Sequence, residues 1–304
     1  MKPIPRRHFI TLSAAGAVAG PSIFYSRFAR PPLALTAQEI VDRVKRSIGG
    51  EWKPETIDGF KAGDPATVVN GIAVAAMATL TILKQAVRSG ANLVITSEPT
   101  FYSRSDAATP PAGRRGGPPP PPDPVFTAKN DFIKSNGLVV WRFSDHWRQR
   151  RPDPFAMGLT DTLGWSKFRA AGDAAHVTVP ALGLDALALD LKKKLNARGG
   201  IRIVGDPRLR VQKIGLLPGT TAIQAALAVL PDVDAVIAGE VREWESVEYV
   251  RDKVAAGEKK SLILLGRVVS EEPGMKLCAE WIKTVVPELA ATWIPNGDPY
   301  WRPV

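Results

Sequence analysis

Cysteine and histidine are almost missing from this chain. Cys278 stands alone, and His8, His146 and His176 are the three imidazoles among 304 residues. One cysteine excludes an internal disulfide and a thiolate metal cluster. With so few imidazoles, no Ser/His/Asp triad suggests itself. Gly-rich loops of dinucleotide or P-loop spacing are absent, so no nucleotide cofactor is expected. The formal charge is +10, but Lys2, Arg6, Arg7, Arg27 and Arg30 stand in the first 37 residues without a single acid. The remainder carries no Lys/Arg run interleaved with aromatics, which argues against nucleic acid as a partner. Nor is there an apolar run long enough for a permanent membrane span.

What the chain does have is one pattern used twice, at residues 63–98 and 205–240. Each copy opens Gly-Asp-Pro (Gly63-Asp64-Pro65 and Gly205-Asp206-Pro207), and a constant offset of 142 relates them. Each has an apolar run starting at Ile72 or Ile214, a helical pattern, then a second apolar run closed by Glu98 or Glu240. Short apolar runs about twenty residues apart read as buried parallel strands. A gapless match in three places points to a duplicated strand–helix–strand unit. Both acids then fall at the C-terminal ends of strands, where open α/β sheets present their binding groups.

Residues 1–37 read as an address. Arg6-Arg7-His8-Phe9-Ile10 is a twin-arginine pattern followed by a small Ala/Gly-rich run over 10–20, which implies export of a folded protein to the periplasm. Thr36 is placed to cap a helix over 37–48 that Gly49-Gly50 stops. Residues 103–124 hold Gly113-Arg114-Arg115-Gly116-Gly117 and five consecutive prolines, Pro118 to Pro122. That composition cannot build a core and reads as a surface insertion. Further helices are predicted over 125–135, 185–195, 247–256 and 274–286, and strands over 138–143 and 262–265. The expected domains are a leader (1–37), a first α/β lobe (38–198) carrying the insertion, and a second α/β lobe (199–304). The tail, with Trp293, Tyr300 and Trp301, is expected to pack on a core or a neighbouring subunit.

The segments Gly63-Asp64-Pro65, Gly90-Ala91-Asn92-Leu93-Val94-Ile95-Thr96, Gly205-Asp206-Pro207 and Ala238-Gly239-Glu240, with the strand end at 266–271, stand in the order found in one family. From about Thr36 onward the chain resembles the Nif-three-like proteins (NGG-one-interacting factor three). These are dinuclear-metal-centre hexamers, some labelled GTP cyclohydrolase I type 2. The resemblance implies an α/β fold of two related lobes with a metal cleft between them, assembled as a homo-hexamer. It also implies metal ligands, and these match in part. The family's Thr-His-His-Pro falls on Thr96-Ser97-Glu98-Pro99, its ligand Asp on Asp153, with Asp161 eight residues on, and its late Gly-His-x-x-x-Glu on Gly266 to Glu271. A family histidine corresponds to His146 at altered spacing. Three imidazole positions are therefore Ser97, Glu98 and Arg267.

The exchange alters the chemistry. Imidazoles suit zinc and iron, whereas a carboxylate set suits Mg²⁺, Mn²⁺ or Ca²⁺. Glu98, Asp153 and Glu271 are the expected metal ligands, His146 a further candidate, and Ser97, Arg267 and Glu240 other site residues. Three converging carboxylates need a counter-charge, which either a divalent ion or the Arg267 guanidinium can supply. Two functions follow. One is a metal-dependent hydrolase-like enzyme acting on a small molecule. The other is a non-catalytic, ring-forming binding or scaffold protein with an Arg–carboxylate network in place of the metals.

Overall fold

The computed structural model describes residues 34–103, 106 and 123–303. Residues 1–33, with the twin-arginine pattern, and the proline run lie outside the described residues, whereas 34–37, the end of the expected leader, belong to the fold and Ala37 opens the first helix. Helix α1 (Ala37–Ser47) starts at Thr36, whose hydroxyl accepts from the Glu39 backbone while the Glu39 carboxylate returns to the Thr36 N–H, a reciprocal cap. Then come β1 (Gly59–Ala62), β2 (Ile72–Ala75), α2 (Leu80–Arg88), β3 (Leu93–Thr96), α3 (Pro124–Ser135), β4 (Val139–Arg142), α4 (Asp145–Gln149) and α5 (Pro154–Leu163). The second series is β5 (Arg169–Ala170), β6 (Asp173–Gly183), α6 (Leu184–Lys194), β7 (Arg202–Val204), β8 (Arg210–Thr220), α7 (Ile223–Val229), β9 (Ala235–Glu240), α8 (Glu248–Ala255) and β10 (Ser261–Leu264). Helix α9 (Arg267–Val285) and β11 (Ala291–Trp293) close the chain.

The strands form two sheets, in the orders β1-β4-β3-β2-β11 and β5-β6-β8-β9-β10-β7. The duplication is exact in register. In the first sheet Ile72, Ala73, Val74 and Ala75 pair in parallel with Leu93, Val94, Ile95 and Thr96. In the second, Ile214, Gly215, Leu216 and Leu217 pair with Ala235, Val236, Ile237 and Ala238, the same partners shifted by 142 residues. The repeat also reaches further than the sequence pattern. Strand β4 lies parallel to β3 and antiparallel to β1, as β10 lies parallel to β9 and antiparallel to β7. Helices α1 and α6 are docked alike on the Gly-Asp-Pro turns, through Ala37 and Gln38 N–H in one and Leu184 and Asp185 N–H in the other. Asp64 and Asp206 each accept from the N–H two residues on, which is the Asx geometry such turns favour.

Each sheet is covered on both faces. Ile72 and Val74 of β2 enter the cluster with α1 and α9, while Ala73 and Ala75 enter the one with α2 and α3. Ala235 and Ile237 of β9 face α5 and α6, and Val236 and Ala238 face α8. Period-two alternation with every residue buried is what a parallel sheet between two helical layers requires. Helix α5, which comes after α4, and helix α9, which follows β10, cross at Gly158 and Gly274. A β-carbon at Gly158 would lie 2.4 Å from the Pro273 carbonyl carbon, and one at Gly274 would lie 2.7 Å from Phe155 Cα.

Several expectations change. Helix α9 begins seven residues earlier than predicted and runs through Pro273; the proline lies at the α5 crossing. The sheets do not part at residue 198: β5 and β6 join the second sheet and β11 the first, and residues from 34 onward form one unit. Trp293 is a strand residue paired with Val74, whereas Tyr300 and Trp301 are 70% and 78% exposed, so those two do not pack on the core. No described helix is long and apolar enough to cross a membrane.

Candidate functional site

Strand β3 runs out into Ser97 and Glu98, both buried. The turn is fixed by Glu98 N–H donating to Ala76 O (2.9 Å) and Arg142 Nε donating to Ser97 O (3.1 Å). Opposite stands the first turn of α9, where Arg267 and Glu271 share a face because they are four residues apart. Arg267 Nη2 lies 2.6 Å from Glu98 Oε2. The pair is close but poorly aligned: Glu98 Oε2 and Arg267 Nε have no hydrogen-bond partner among the described residues. Ser97 Oγ donates to Ala76 O (3.3 Å) and approaches Glu271 Oε2 at 3.5 Å.

Arg148, which the sequence reading passed over, completes the network. From α4 its Nη2 donates to Glu271 Oε1 (2.7 Å) and its Nη1 to Pro218 O (3.2 Å). Nη1 also stands 3.5 Å from Asp153 Oδ2, and the guanidinium lies 4.1 Å from the Phe155 ring centre. Asp153 caps α5 through Phe155 N–H (2.8 Å). The series Arg267–Glu98–Glu271–Arg148–Asp153 thus ties β3, α9, α4 and α5 together. Only the placement of Arg148 five residues before Asp153, in an arginine-rich stretch, hinted at it in the sequence.

Three carboxyls face two guanidiniums, so one proton balances the charge. Burial pushes the Glu98 carboxyl up to about 8, with the adjacent Glu271 charge and hydrogen bond adding to it and Arg267 opposing. Asp153 is raised as well, by burial first, against the pull of Arg148. Burial of this kind favours the protonated form of a carboxyl.

The other expected residues lie elsewhere. His146 is buried with both ring nitrogens engaged: Nδ1 is 2.8 Å from Asp58 Oδ2, and Nε2 accepts from Lys53 N–H (2.9 Å). Trp52 stacks on it at 3.6 Å. No lone pair is left for a metal. Glu240 is exposed at the end of β9, apart from the network, and lines a cavity with Arg267. Among the described residues no group of three or more His, Cys, Asp or Glu side chains is arranged to hold a metal ion. Guanidiniums already occupy oxygens of Glu98, Glu271 and Asp153. This donor set does not fit a pair of metal ions, which needs several free ligands per ion.

No family model matches the chain, and no curated protein matches it. Solved structures do share its fold. A hypothetical protein of Staphylococcus aureus, SA1388, superimposes with a TM-score of 0.65 at 15% identity, over 88% of this chain and 99% of that one. A Bacillus cereus protein related to NIF3 gives 0.64 at 12% identity, over 89% and 100%. The protein ybgI, of unknown function, gives 0.61 at 18% identity, over 87% and 100%. The fold is Nif-three-like, as the sequence resemblance implied.

Proposed function

We propose that this chain is a binding or scaffold protein of Nif-three-like fold, in which an arginine–carboxylate network balances the charge that the resemblance assigns to metals. The observation that carries this reading is the pairing of Glu98 with Arg267 at 2.6 Å and of Glu271 with Arg148 at 2.7 Å. Breaking such a network by removing one partner costs far more than the network contributes net, so its value lies in fixing β3, α4 and α9 in one arrangement. Elemental analysis of the purified protein is expected to find substoichiometric zinc and iron. Ser97→His with Glu98→His and Arg267→His replaces the guanidinium by imidazoles and is expected to raise zinc occupancy towards one ion per chain. Tightly bound stoichiometric zinc or iron in the wild type overturns the reading.

A metal-dependent hydrolase-like enzyme is the second reading. It is favoured by the raised Glu98 carboxyl beside Glu271, whose proton a hard cation such as Mg²⁺, Mn²⁺ or Ca²⁺ can replace. Ring assembly as a hexamer and export through the Arg6-Arg7 leader complete the proposal. Arg6→Lys with Arg7→Lys is expected to retain the protein in the cytoplasm on cell fractionation.

A further inference from the structure

Behind the Ser97–Glu98 turn, three residues that touch one another each carry a buried polar atom without a hydrogen-bond partner: Thr100 Oγ1, Asp106 Oδ2 and Arg142 Nη1. Asp106 Oδ1 accepts from the N–H groups of Thr100 (2.6 Å) and Phe101 (2.9 Å). Arg142, the last residue of β4, is held by its Nε bond to Ser97 O. Its Nη1 stands 3.8 Å from Asp106 Oδ2, too long for a direct hydrogen bond. Lys129 of α3 completes the group. Its Nζ donates to Thr100 O and lies over the rings of Phe101 and Tyr102, at 5.7 and 5.2 Å. Thr100, Asp106, Lys129 and Arg142 are each at most 4% exposed.

The charges here do not balance. Lys61 of β1 has Asp58 and Asp145 as counter-charges besides Asp106. Those two carboxylates are engaged elsewhere, Asp58 by the N–H groups of Ser144, Asp145 and His146, and Asp145 by Thr56 and Ile57. Lys129 and Arg142 share Asp106 alone among the described residues. Burial pulls the Lys129 ammonium down to about 8, against the attraction of Asp106. One buried positive charge is thus left over, a costly state. A water molecule would bridge the gap but would not supply the missing charge.

We propose that these residues bind a singly charged oxyanion that carries a proton, such as bicarbonate or dihydrogen phosphate. Its oxygens accept from Arg142 Nη1, the Thr100 hydroxyl and the remaining Lys129 N–H groups, and its own hydroxyl donates to Asp106 Oδ2. The 3.8 Å gap lets Arg142 and Asp106 reach neighbouring oxygens of one ion side by side. The proton makes the site selective, because an oxyanion without one sets a lone pair against the Asp106 carboxylate. The inference does not depend on whether Glu98 and Glu271 hold a metal, so elemental analysis leaves it untouched.

Isothermal titration of the full chain at pH 7 tests it. Bicarbonate is compared with nitrate, a planar anion of the same charge without a proton, and phosphate with sulfate. Binding of bicarbonate or phosphate at millimolar concentration is expected, with nitrate and sulfate weaker by about tenfold or more. The two protonated probes tell the carbonate class from the phosphate class. Asp106→Asn keeps the Oδ1 acceptor and turns Oδ2 into a donor, so nitrate and sulfate are expected to bind it as well as their protonated counterparts. Lys129→Met removes the surplus charge at similar volume and is expected to weaken the ion by about tenfold. Absence of binding by both bicarbonate and phosphate overturns the proposal. So does wild-type protein that binds nitrate or sulfate as well as the protonated counterpart, and so does unchanged selectivity in a folded Asp106→Asn. Should Asp106→Asn fail to fold, unchanged affinity in Lys129→Met overturns it instead.

Discussion

Glu98 and Glu240 close the same strand of the same repeat, yet one is 2% exposed in an ion-pair network and the other is exposed at the rim of a cavity. Backbone does not make the difference, since β2–β3 and β8–β9 share their register. What covers each strand end does. Over β3 lie Arg267 and Glu271 from α9 and, through Glu271, Arg148 from α4. The crevice beyond β9 and β10 is walled by the Gly199-Gly200 turn and the C-terminal tail. A duplicated unit thus supplies two equivalent positions, and the connecting segments decide which is sealed by charge pairing and which stays open.

The helices after β4 and β10 differ too: α4 starts on the Asp58 carboxylate, whereas no side chain caps α9, and this contrast gives the largest expected effect. Asp58→Ala removes the acceptor of three backbone N–H groups and of His146 Nδ1 and leaves buried donors unsatisfied. A loss of about 3 kcal/mol in unfolding free energy is expected from urea denaturation. Asp58→Asn, which keeps one acceptor oxygen, is expected to lose about half as much. Equal loss in the two variants would show that Asp58 acts there by its charge and not as an acceptor.

Next comes the proton held by Glu98. Its folded value, about 8, lies above the ordinary carboxylate value of 4.5. Between those values the folded chain holds a proton that the unfolded chain releases, so stability falls as pH rises through that window. The contribution is fully present below about 4.5 and lost above about 8. Glu98→Gln imitates the protonated form and is expected to flatten this slope, gaining roughly 2 kcal/mol over wild type at pH 9. Denaturation midpoints of both proteins across pH 5 to pH 9 check this. A wild-type profile that rises towards pH 9 would place Glu98 ionised in the fold.

Local signals carried far in the sequence. The Thr36 cap, the Gly-Asp-Pro turns and the apolar runs at 72 and 214 are formed by residues within a few positions of one another, and each stands where its pattern put it. Strands of two to four residues at sheet edges, such as β5, β7 and β11, are too short for a period to show. Helix α9 starts ahead of its predicted bounds and runs through Pro273, a residue type that disfavours helix interiors, and the contact with Gly158 there comes from a distant segment. The site was legible in its residue types at Glu98, Asp153, Glu271 and Arg267. Arg148 and Asp58 were not, since a single Arg or Asp carries no periodic signal and acquires its role from partners as far as 123 and 86 positions away in sequence.

The smallest expected effect sharpens the opening contrast. Glu240 has the same place in its repeat as Glu98, but it is exposed and its carboxylate has no hydrogen bond or ion pair among the described residues. An exposed carboxylate of this kind loses little solvation on folding, so Glu240→Ala is expected to change unfolding free energy by no more than about 0.5 kcal/mol in either direction. Glu98→Ala, by contrast, leaves Arg267 without its partner and opens a buried gap beside Glu271, with an expected cost of about 3 kcal/mol. Parallel urea titrations at pH 7 compare the two. If Glu240→Ala proved as costly as Glu98→Ala, the β9 end would have a binding partner of its own, and the difference between the repeats would lie in what each holds rather than in whether it is covered.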